Sequence, residues 1–152
     1  MLRLAPHVPV FGLFLLLTAP LAACGGRDAH DIAADLEGTV STSTVDRLLR
    51  DVDLNRAPVV LSVDREDTQT FGPSDQQAME TAMRETATEL AGDHVQITQQ
   101  VVEDTGTNTQ ELTVTLAVEH AGQTRYVPVT VDLLRDGRRL LVTAVHVMAA
   151  GR

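Results

Sequence analysis

Residues 124–148 read TRYVPVTVDLLRDGRRLLVTAVHVM, two runs of alternating apolar and polar residues separated by Asp136-Gly137. Alternation with a period of two is typical of β-strands that bury one face, and Asp-Gly between two such runs is a strong hairpin signal. We therefore predict two antiparallel strands joined by a type I′ turn at Asp136-Gly137. The predicted register pairs apolar residues with one another: Leu133 with Leu140, Val131 with Val142 and Val129 with Ala144.

Two further strands are predicted upstream, in HVQITQQVV (94–102) and QELTVTLAVE (110–119). A turn at Ala121-Gly122 pairs Leu116 with Val127, Val114 with Val129 and Leu112 with Val131. A loop through residues 105–108 pairs Ile97 with Leu116 and Val101 with Leu112. These registers place the aliphatic residues on one face, which predicts a four-stranded antiparallel meander. Pro128 lies in an inner strand, where we expect a bulge or a local break because proline lacks the N–H group that a ladder requires.

The region before the meander contains one strand and two helices. Residues 43–54, STVDRLLRDVDL, have apolar residues at helical spacing, residues 58–64 are rich in β-formers, and residues 65–73 are expected to form a loop. The main helix is predicted to start at Ser74, with a capping box between Ser74 and Gln77, and to end at Gly92. Its narrow apolar face, which includes Met79 and Met83, is expected to cover the buried face of the meander.

The predicted class is α+β, with the element order strand, helix and four strands after a short helix. This order resembles that of cystatin-like folds, which implies a sheet wrapped around one helix. Cystatins inhibit cysteine proteases through a Q-x-V-x-G hairpin. In the corresponding hairpin, Gln99, Val101 and Gly106 place the glycine too late, and the chain contains no Trp.

The N-terminal 24 residues, MLRLAPHVPVFGLFLLLTAPLAAC, combine Arg3, a short apolar run and small residues, as in a signal peptide. The apolar run is shorter than the roughly 20 residues that span a bilayer. Leu21-Ala22-Ala23-Cys24 resembles the lipobox of bacterial lipoprotein precursors. The resemblance implies a diacylglyceryl group on the Cys24 thiol, signal peptidase cleavage between Ala23 and Cys24, and acylation, such as by palmitate, of the new amino terminus.

The expected domain organisation follows from this resemblance. Residues 1–23 form the signal peptide, residues 24–42 the lipidated N-terminus and a flexible tether, and residues 43–152 a single α+β domain. Gly25 stands where an inner-membrane retention signal often has Asp. The protein is therefore expected in the cell envelope, facing the periplasm from the outer membrane rather than the inner one if the cell has two membranes.

Charge and composition exclude some classes of partner. The formal net charge is −9, which disfavours contact with nucleic acid and with anionic lipid headgroups. Aromatic residues make up 3% of the chain, which disfavours the stacking platforms of sugar-binding and single-strand-binding proteins. We expect no nucleic-acid partner.

The chain offers little catalytic or metal-binding chemistry. The single Cys is assigned to lipid, and no Ser lies in a G-x-S-x-G motif. His94, Glu119 and His120 are the best metal candidates but lack motif spacing, so we expect no metal, no cofactor and no catalytic residues.

His146 and Gln99 are the polar residues that the predicted registers place on the apolar face. A buried polar group needs a hydrogen-bond partner, so these two could mark a pocket in which His146 contacts a ligand or donates a proton. Tyr126 and Asp132 are expected to lie too far away to contribute. The alternative is that His146 lies half exposed at the open end of the sheet.

The leading functional hypothesis is a non-enzymatic envelope lipoprotein whose domain binds another envelope protein. The first alternative is a small-ligand binder or enzyme with a cone-type fold and a pocket near His146. The second is a cystatin-like protease inhibitor.

Overall fold

The structure, a computed structural model, describes residues 26–37, 42–64 and 67–148. It confirms the α+β class. The helices are α1 (Ala29–Asp35), α2 (Thr42–Leu49) and α3 (Gln76–Glu89). The strands are β1 (Val59–Val63), β2 (Asp67–Phe71), β3 (His94–Asp104), β4 (Thr109–His120), β5 (Gln123–Asp136) and β6 (Arg139–Val147).

The strands form one six-stranded sheet in the order β2-β1-β6-β5-β4-β3. The predicted meander is present as β3 to β6, but the four-stranded, cystatin-like arrangement is wrong. Strand β1 adds to β6 in parallel, and residues 67–71, expected to be loop, form β2 as the antiparallel partner of β1. The segment DTQTF has no clear apolar alternation because four of its five residues are exposed at the sheet edge.

The predicted register between β4 and β5 is confirmed at every pair that was named. Leu116 pairs with Val127, Val114 with Val129, and Leu112 with Val131. The turn residues Ala121 and Gly122 have φ values of 50° and 75°, as a type I′ turn requires. The register with β4 runs without a shift through Pro128, so the expected bulge is absent from this ladder. The ladder of β5 with β6 ends at Val129, the residue next to Pro128.

The turn between β5 and β6 lies one residue later than predicted, because Asp136 pairs with Arg139 and Gly137-Arg138 form the turn. Positive φ occurs at Gly137 and not at Arg138, which is the pattern of a type II′ turn. The predicted pairs are therefore wrong, and Thr143 is bulged out of the ladder. These two changes bring Val131 opposite Val145.

Strand β3 is bulged at Thr98. The predicted pair of Ile97 with Leu116 is confirmed, but beyond the bulge Val102, and not Val101, pairs with Leu112. An inserted residue turns the rest of the strand over, so Val101 faces solvent with 40% exposure. The Thr98 hydroxyl donates to the Thr115 carbonyl and the Thr143 hydroxyl to the Asp132 carbonyl, so both bulged threonines bond to the facing strand.

Helices α2 and α3 lie on one face of the sheet, here called the inner face. Val45 and Leu48 of α2 and Met79 and Met83 of α3 are buried in the same core as the inner-face strand residues. Helix α3 begins later than predicted, with Asp75 as N-cap and no side-chain cap bond, so the Ser74–Gln77 capping box is wrong. The Asp75 carboxylate instead accepts a hydrogen bond from the Gly72 N–H.

Helix α1 contradicts the expectation of a flexible tether for the described part of residues 24–42. Asp28 caps the helix by accepting hydrogen bonds from the N–H groups of His30 and Asp31. Ile32 and Ala33 are fully buried in the main core, and the cap residue Leu36 is 3% exposed. These few apolar residues are sufficient to hold a short helix in place because they pack into the core beside the sheet. The folded unit therefore begins well before residue 43.

Candidate functional site

The first candidate site is the space between the helices and the inner face. It contains a cavity of about 30 Å³ lined almost entirely by aliphatic side chains, among them Leu48, Met83, Val129 and Val145. A cavity of this size holds no more than about two water molecules. Thr86 is the polar side chain in its wall, and its hydroxyl already donates to the Ala82 carbonyl. The interior is thus filled by the protein itself.

The second candidate site is an open cleft of about 350 Å³ on the outer face of the sheet, opposite the helices. Its wall has mixed chemistry and comes from five of the six strands and the residue after β6: Ser62, Thr68, Glu111, Thr130, His146 and Met148. The cleft lies over the parallel junction of β1 with β6, which places Ser62 beside His146. We call it the His146 cleft.

Ser62 and His146 form the floor of the His146 cleft. The Ser62 Oγ lies 2.6 Å from the His146 Nδ1, and Ser62 is only 3% exposed. The His146 Nε2 lies 4.0 Å from the Asp132 Oδ2, and the two side chains are 35% and 45% exposed. The expectation that Asp132 lies too far from His146 is therefore wrong. The serine hydroxyl is covered and bonded, whereas Nε2 and the carboxylate remain open to a ligand.

One carboxylate, Glu111, lines the cleft, and two others continue the row across the outer face. In the cross-strand register Asp132 pairs with Glu111, and Glu111 pairs with Glu103. Like charges directly opposite each other on a sheet are unfavourable, so this row favours a cationic ligand over an anionic one.

The predicted pairing of His146 with Gln99 in one pocket is wrong. His146 points to the outer face, because its neighbours Val145 and Val147 occupy the inner one, and it is half-buried there. Gln99 is exposed on the outer face of β3, three strands from His146, because the bulge at Thr98 turned it away from the core. Gln100 takes the inner position, where its amide lies 2.6 Å from the His30 Nδ1 of α1.

The metal site considered from the sequence, made of His94, Glu119 and His120, does not assemble. His94 pairs with Glu119 across β3 and β4, but the His120 Nδ1 lies 3.8 Å from the Asp93 Oδ2 instead of facing them. Within residues 26–37, 42–64 and 67–148, no three His, Cys, Asp or Glu side chains converge as they would around a metal ion.

Ala23 and Cys24 lie outside the described residues, so the predicted lipidation and cleavage stay predictions. Among the residues that are described, no helix is both long and apolar enough to cross a membrane.

A charged cluster joins the start of α1 to the body of the domain. The Arg27 guanidinium donates to the Asp35 carboxylate, and its Nε lies 3.3 Å from the Asp51 Oδ2. Burial raises the pKa of Asp51 despite the opposing charge of Arg27. Burial alone would lower the pKa of Arg27, but the bond to Asp35 and the charges of Asp51 and Asp35 raise it.

Ser62, Thr130, Glu111 and this charged cluster were not predicted from the sequence. Ser62 reaches His146 only through the parallel pairing of β1 with β6, across a separation of 84 residues. No local pattern in the sequence indicates that pairing. The one available signal was that Ser62 is the polar residue in the otherwise aliphatic strand Val59–Val63.

No protein-family model matches the chain, and no curated protein matches it in sequence. Several solved structures share its fold. A "putative ketosteroid isomerase" from Parabacteroides distasonis is 13% identical with a TM-score of 0.59, over 80% of this chain and 84% of that one. A DUF4783 family protein from Bacteroides ovatus is 15% identical with a TM-score of 0.55, over 84% of this chain and 99% of that one.

A third similar structure is an NTF2-like protein of unknown function from Pseudomonas putida. It is 12% identical with a TM-score of 0.52, over 71% of this chain and 74% of that one. The helix-covered sheet therefore has the NTF2-like fold. Identities this low establish the fold alone, because one fold supports many functions.

Proposed function

We propose that this chain is a bacterial cell-envelope lipoprotein, anchored through acylated Cys24, whose NTF2-like domain is a non-catalytic interaction module. The filled interior carries the proposal. The cavity between helices and sheet has about 30 Å³, whereas ligand pockets typically have about 300–1,000 Å³. A domain that keeps its interior closed must act through its surface.

The anchor is supported by the sequence Leu21-Ala22-Ala23-Cys24 behind a short apolar run. Two or three acyl chains hold a protein on a bilayer durably, because each buried methylene contributes about 0.8 kcal/mol. Gly25 after the cysteine favours the periplasmic side of the outer membrane. The net charge of −9 argues against a nucleic-acid partner.

The proposed contact surface for an envelope protein is the outer face of the sheet. The large hydrophobic side chains exposed in the described part of the chain are Val101, Tyr126 and Met148, with exposures of 40%, 59% and 42%. Val101 and Tyr126 point outward because their strand neighbours occupy the inner face, and Met148 lines the outer His146 cleft. All three side chains therefore lie on the outer face, which is where the proposal places the contact.

The test combines the mass of the mature amino terminus with crosslinking in intact envelopes. We expect a diacylglyceryl group and an added acyl chain on Cys24, and a Cys24→Ser variant released from the membrane. Tyr126→Arg should abolish a specific crosslinked product that Gln77→Arg, at an exposed position of α3, leaves intact. An unmodified amino terminus overturns the anchor. A product unaffected by Tyr126→Arg overturns the proposed surface, and a product containing only this chain makes the partner a second copy.

A second candidate function is small-ligand binding or enzymatic activity at the His146 cleft. It is favoured by the accessible Nε2 of His146, held through its Nδ1 by the buried Ser62 hydroxyl 2.6 Å away. A small alkylammonium ion fits the chemistry of Nε2 and the nearby carboxylates of Asp132 and Glu111. The cystatin-like alternative loses its topological basis, since the sheet is not arranged as in cystatins.

Titration with butylammonium, followed through the His146 ring resonances, tests the second candidate. Saturable shifts that disappear in Asp132→Asn and persist in the distant Asp93→Asn would favour ligand binding over the interaction module. Shifts that are absent, or equal in the two variants, reject the cleft as an ammonium site.

A further inference from the structure

The two edges of the sheet differ in how open their backbones are. Strand β3 forms one edge, where the Ile97 N–H donates to the Glu37 carboxylate at 3.3 Å and the bulge at Thr98 interrupts the strand. The strand ends in exposed acidic side chains. Bulges and charges of this kind keep other strands from pairing with an edge. Strand β2 forms the other edge, pairs with β1 without a shift and carries one charged side chain, Asp67, at its start.

Strand β2 has backbone groups that point away from the sheet. Alternate residues of a strand direct their N–H and C=O groups to opposite sides. The Asp64 N–H donates to the Val147 carbonyl of β6, so Val63 and its alternate residues in β1 bond to β2. The first, third and fifth residues of β2 bond back to them. The N–H and C=O groups of Thr68 and Thr70 therefore face outward, where no described strand lies.

A groove of about 560 Å³ runs beside this edge, between β2 and α3. Gln69 of β2 forms one wall, and the other comes from α3 and the residues before it, among them Asp75, Ala82 and Glu85. Gln69 points to this side because its ladder partner, Leu61, is buried on the inner face. A strand added about 4.8 Å from β2 would direct the side chain opposite Gln69 into the groove.

The charged groups in the groove wall are carboxylates. Asp75 and Glu85 line it, and Glu85 forms no ion pair with a described residue. The neighbouring Arg84 is paired with Asp46 of α2. Residues 64–67, which lead into β2, add three carboxylates and one arginine. This edge therefore attracts a cationic side chain, whereas a second copy that paired through the same edge would bring its own carboxylates to it.

We propose that the β2 edge binds an extended basic segment of the partner protein as an added strand, with a lysine or arginine of that segment in the groove beside Glu85. In this mode main-chain hydrogen bonds give affinity and the groove gives specificity. The edge is continuous with the outer face, since Thr68 also lines the His146 cleft. The inference rests on the proposed role as an interaction module and is independent of acylation at Cys24.

A defined peptide tests the site in the full mature protein, held in nonionic detergent micelles. The probe is acetyl-Thr-Val-Lys-Val-Thr-amide, and the matched peptide has glutamate in place of lysine. We expect the lysine peptide to cause saturable shifts of the Thr68 and Thr70 amide resonances and slower hydrogen exchange at both amides. The glutamate peptide should bind more weakly.

Glu85→Gln tests the contact with the cationic side chain. It should weaken binding of the lysine peptide about two- to fivefold, the range for one exposed ion pair, and should not weaken binding of the glutamate peptide. The charge-matched control is Glu80→Gln, on the same helix but outside the groove wall. Equal affinities for the two peptides would overturn the preference for a basic segment.

Proline at the two outward positions removes the backbone donors without removing a bond to β1. Edge strands tolerate proline where the N–H faces solvent. Thr68→Pro with Thr70→Pro should abolish peptide binding, whereas Thr68→Ala with Thr70→Ala keeps both N–H groups and should retain it. Circular dichroism shows whether each variant is folded. If the proline pair unfolds, hydrogen exchange at the two amides and the Glu85→Gln comparison decide.

Crosslinking in intact envelopes connects the site to the partner. The product that is lost in Tyr126→Arg should also be lost in the folded proline pair and kept in the alanine pair. Gln77→Arg, which adds one charge at an exposed position of the groove wall and leaves the backbone donors in place, should keep the product.

The outcomes separate this inference from the proposed contact surface. A product that is lost in Tyr126→Arg but kept in the proline pair, or a lysine peptide that shifts neither amide, overturns the added strand and leaves the outer-face contact standing. A product that is lost in the proline pair but kept in Tyr126→Arg overturns only the outer-face contact. A product containing only this chain overturns the basic partner segment.

Discussion

The Ser62 hydroxyl and the His146 Nδ1 lie 2.6 Å apart across the parallel junction of β1 and β6. This bond joins β1, the first strand in the chain, to β6, the last. It also fixes the ring of His146, so that Nε2 faces the cleft.

Ser62→Ala is expected to lower the free energy of unfolding by about 1 kcal/mol, the net contribution of one hydrogen bond. Urea denaturation measures the change. Thr68→Ala, at the exposed position opposite Ser62 on β2, should change stability by less than about 0.5 kcal/mol. Equal losses for the two variants would contradict a specific role for the bond.

Ile32→Ala is expected to cost about 2–5 kcal/mol, because Ile32 is 0% exposed in the main core. Thermal or urea unfolding of the mature domain measures this loss. Val101→Ala removes methyl groups at a 40% exposed position and should cost far less. A negligible loss for Ile32→Ala would mean that α1 is not packed as described.

Gly26→Ala is expected to displace the start of the folded chain from the β5–β6 turn, since its Cβ would overlap the Arg138 carbonyl. Hydrogen exchange of the α1 amides should become faster, and overpacking typically costs about 1–3 kcal/mol. Gly72→Ala is the matched control, because a Cβ there meets its nearest atom, the Asp75 Oδ2, at an ordinary 3.6 Å. Unchanged exchange in Gly26→Ala would argue against this contact.

Asp51→Asn tests the raised pKa of Asp51, which burial causes. A carboxyl whose folded pKa is above its unfolded value of about 3.9 favours the native state when protonated. The stability of the native protein relative to Asp51→Asn should therefore increase as the pH falls through the raised folded pKa, and level off below about 3.9.

Unfolding curves for the native protein and Asp51→Asn across this pH range provide the measurement. Asp46→Asn, which removes an exposed carboxylate paired with Arg84, is the control. A stability difference that does not vary with pH, or that falls on acidification, would contradict the raised pKa.

Local sequence patterns predicted much of the fold. Alternation and the turn at Ala121-Gly122 were sufficient for the register of β4 with β5, because strand pairing across a two-residue turn depends on adjacent residues. The bulges at Thr98 and Thr143 were not predictable, since threonine is an ordinary strand residue. Each bulge moved the following side chains to the other face, which accounts for the errors at Gln99 and His146, whereas the β5–β6 pairs were also wrong because the turn lies one residue later.

The candidate site was less predictable than the fold. His146 was recognised as an unusual residue, but its partner Ser62 lies on a strand that joins the sheet through a long-range parallel pairing. The role of α1 was missed because a seven-residue helix is not stable alone. It is stabilised only by tertiary contacts, in which Ile32 is buried and Arg27 is paired with Asp35.

The amino-acid order was enough to establish the α+β class, the antiparallel meander and the lipobox-like segment, because each is encoded by neighbouring residues. Tertiary packing alone decided that the interior is filled, that Ser62 meets His146, and that Gly26 lies against the β5–β6 turn. Those features depend on which edge β1 joins, on single inserted residues and on where α1 is buried. They arise from contacts between residues that are distant in the chain.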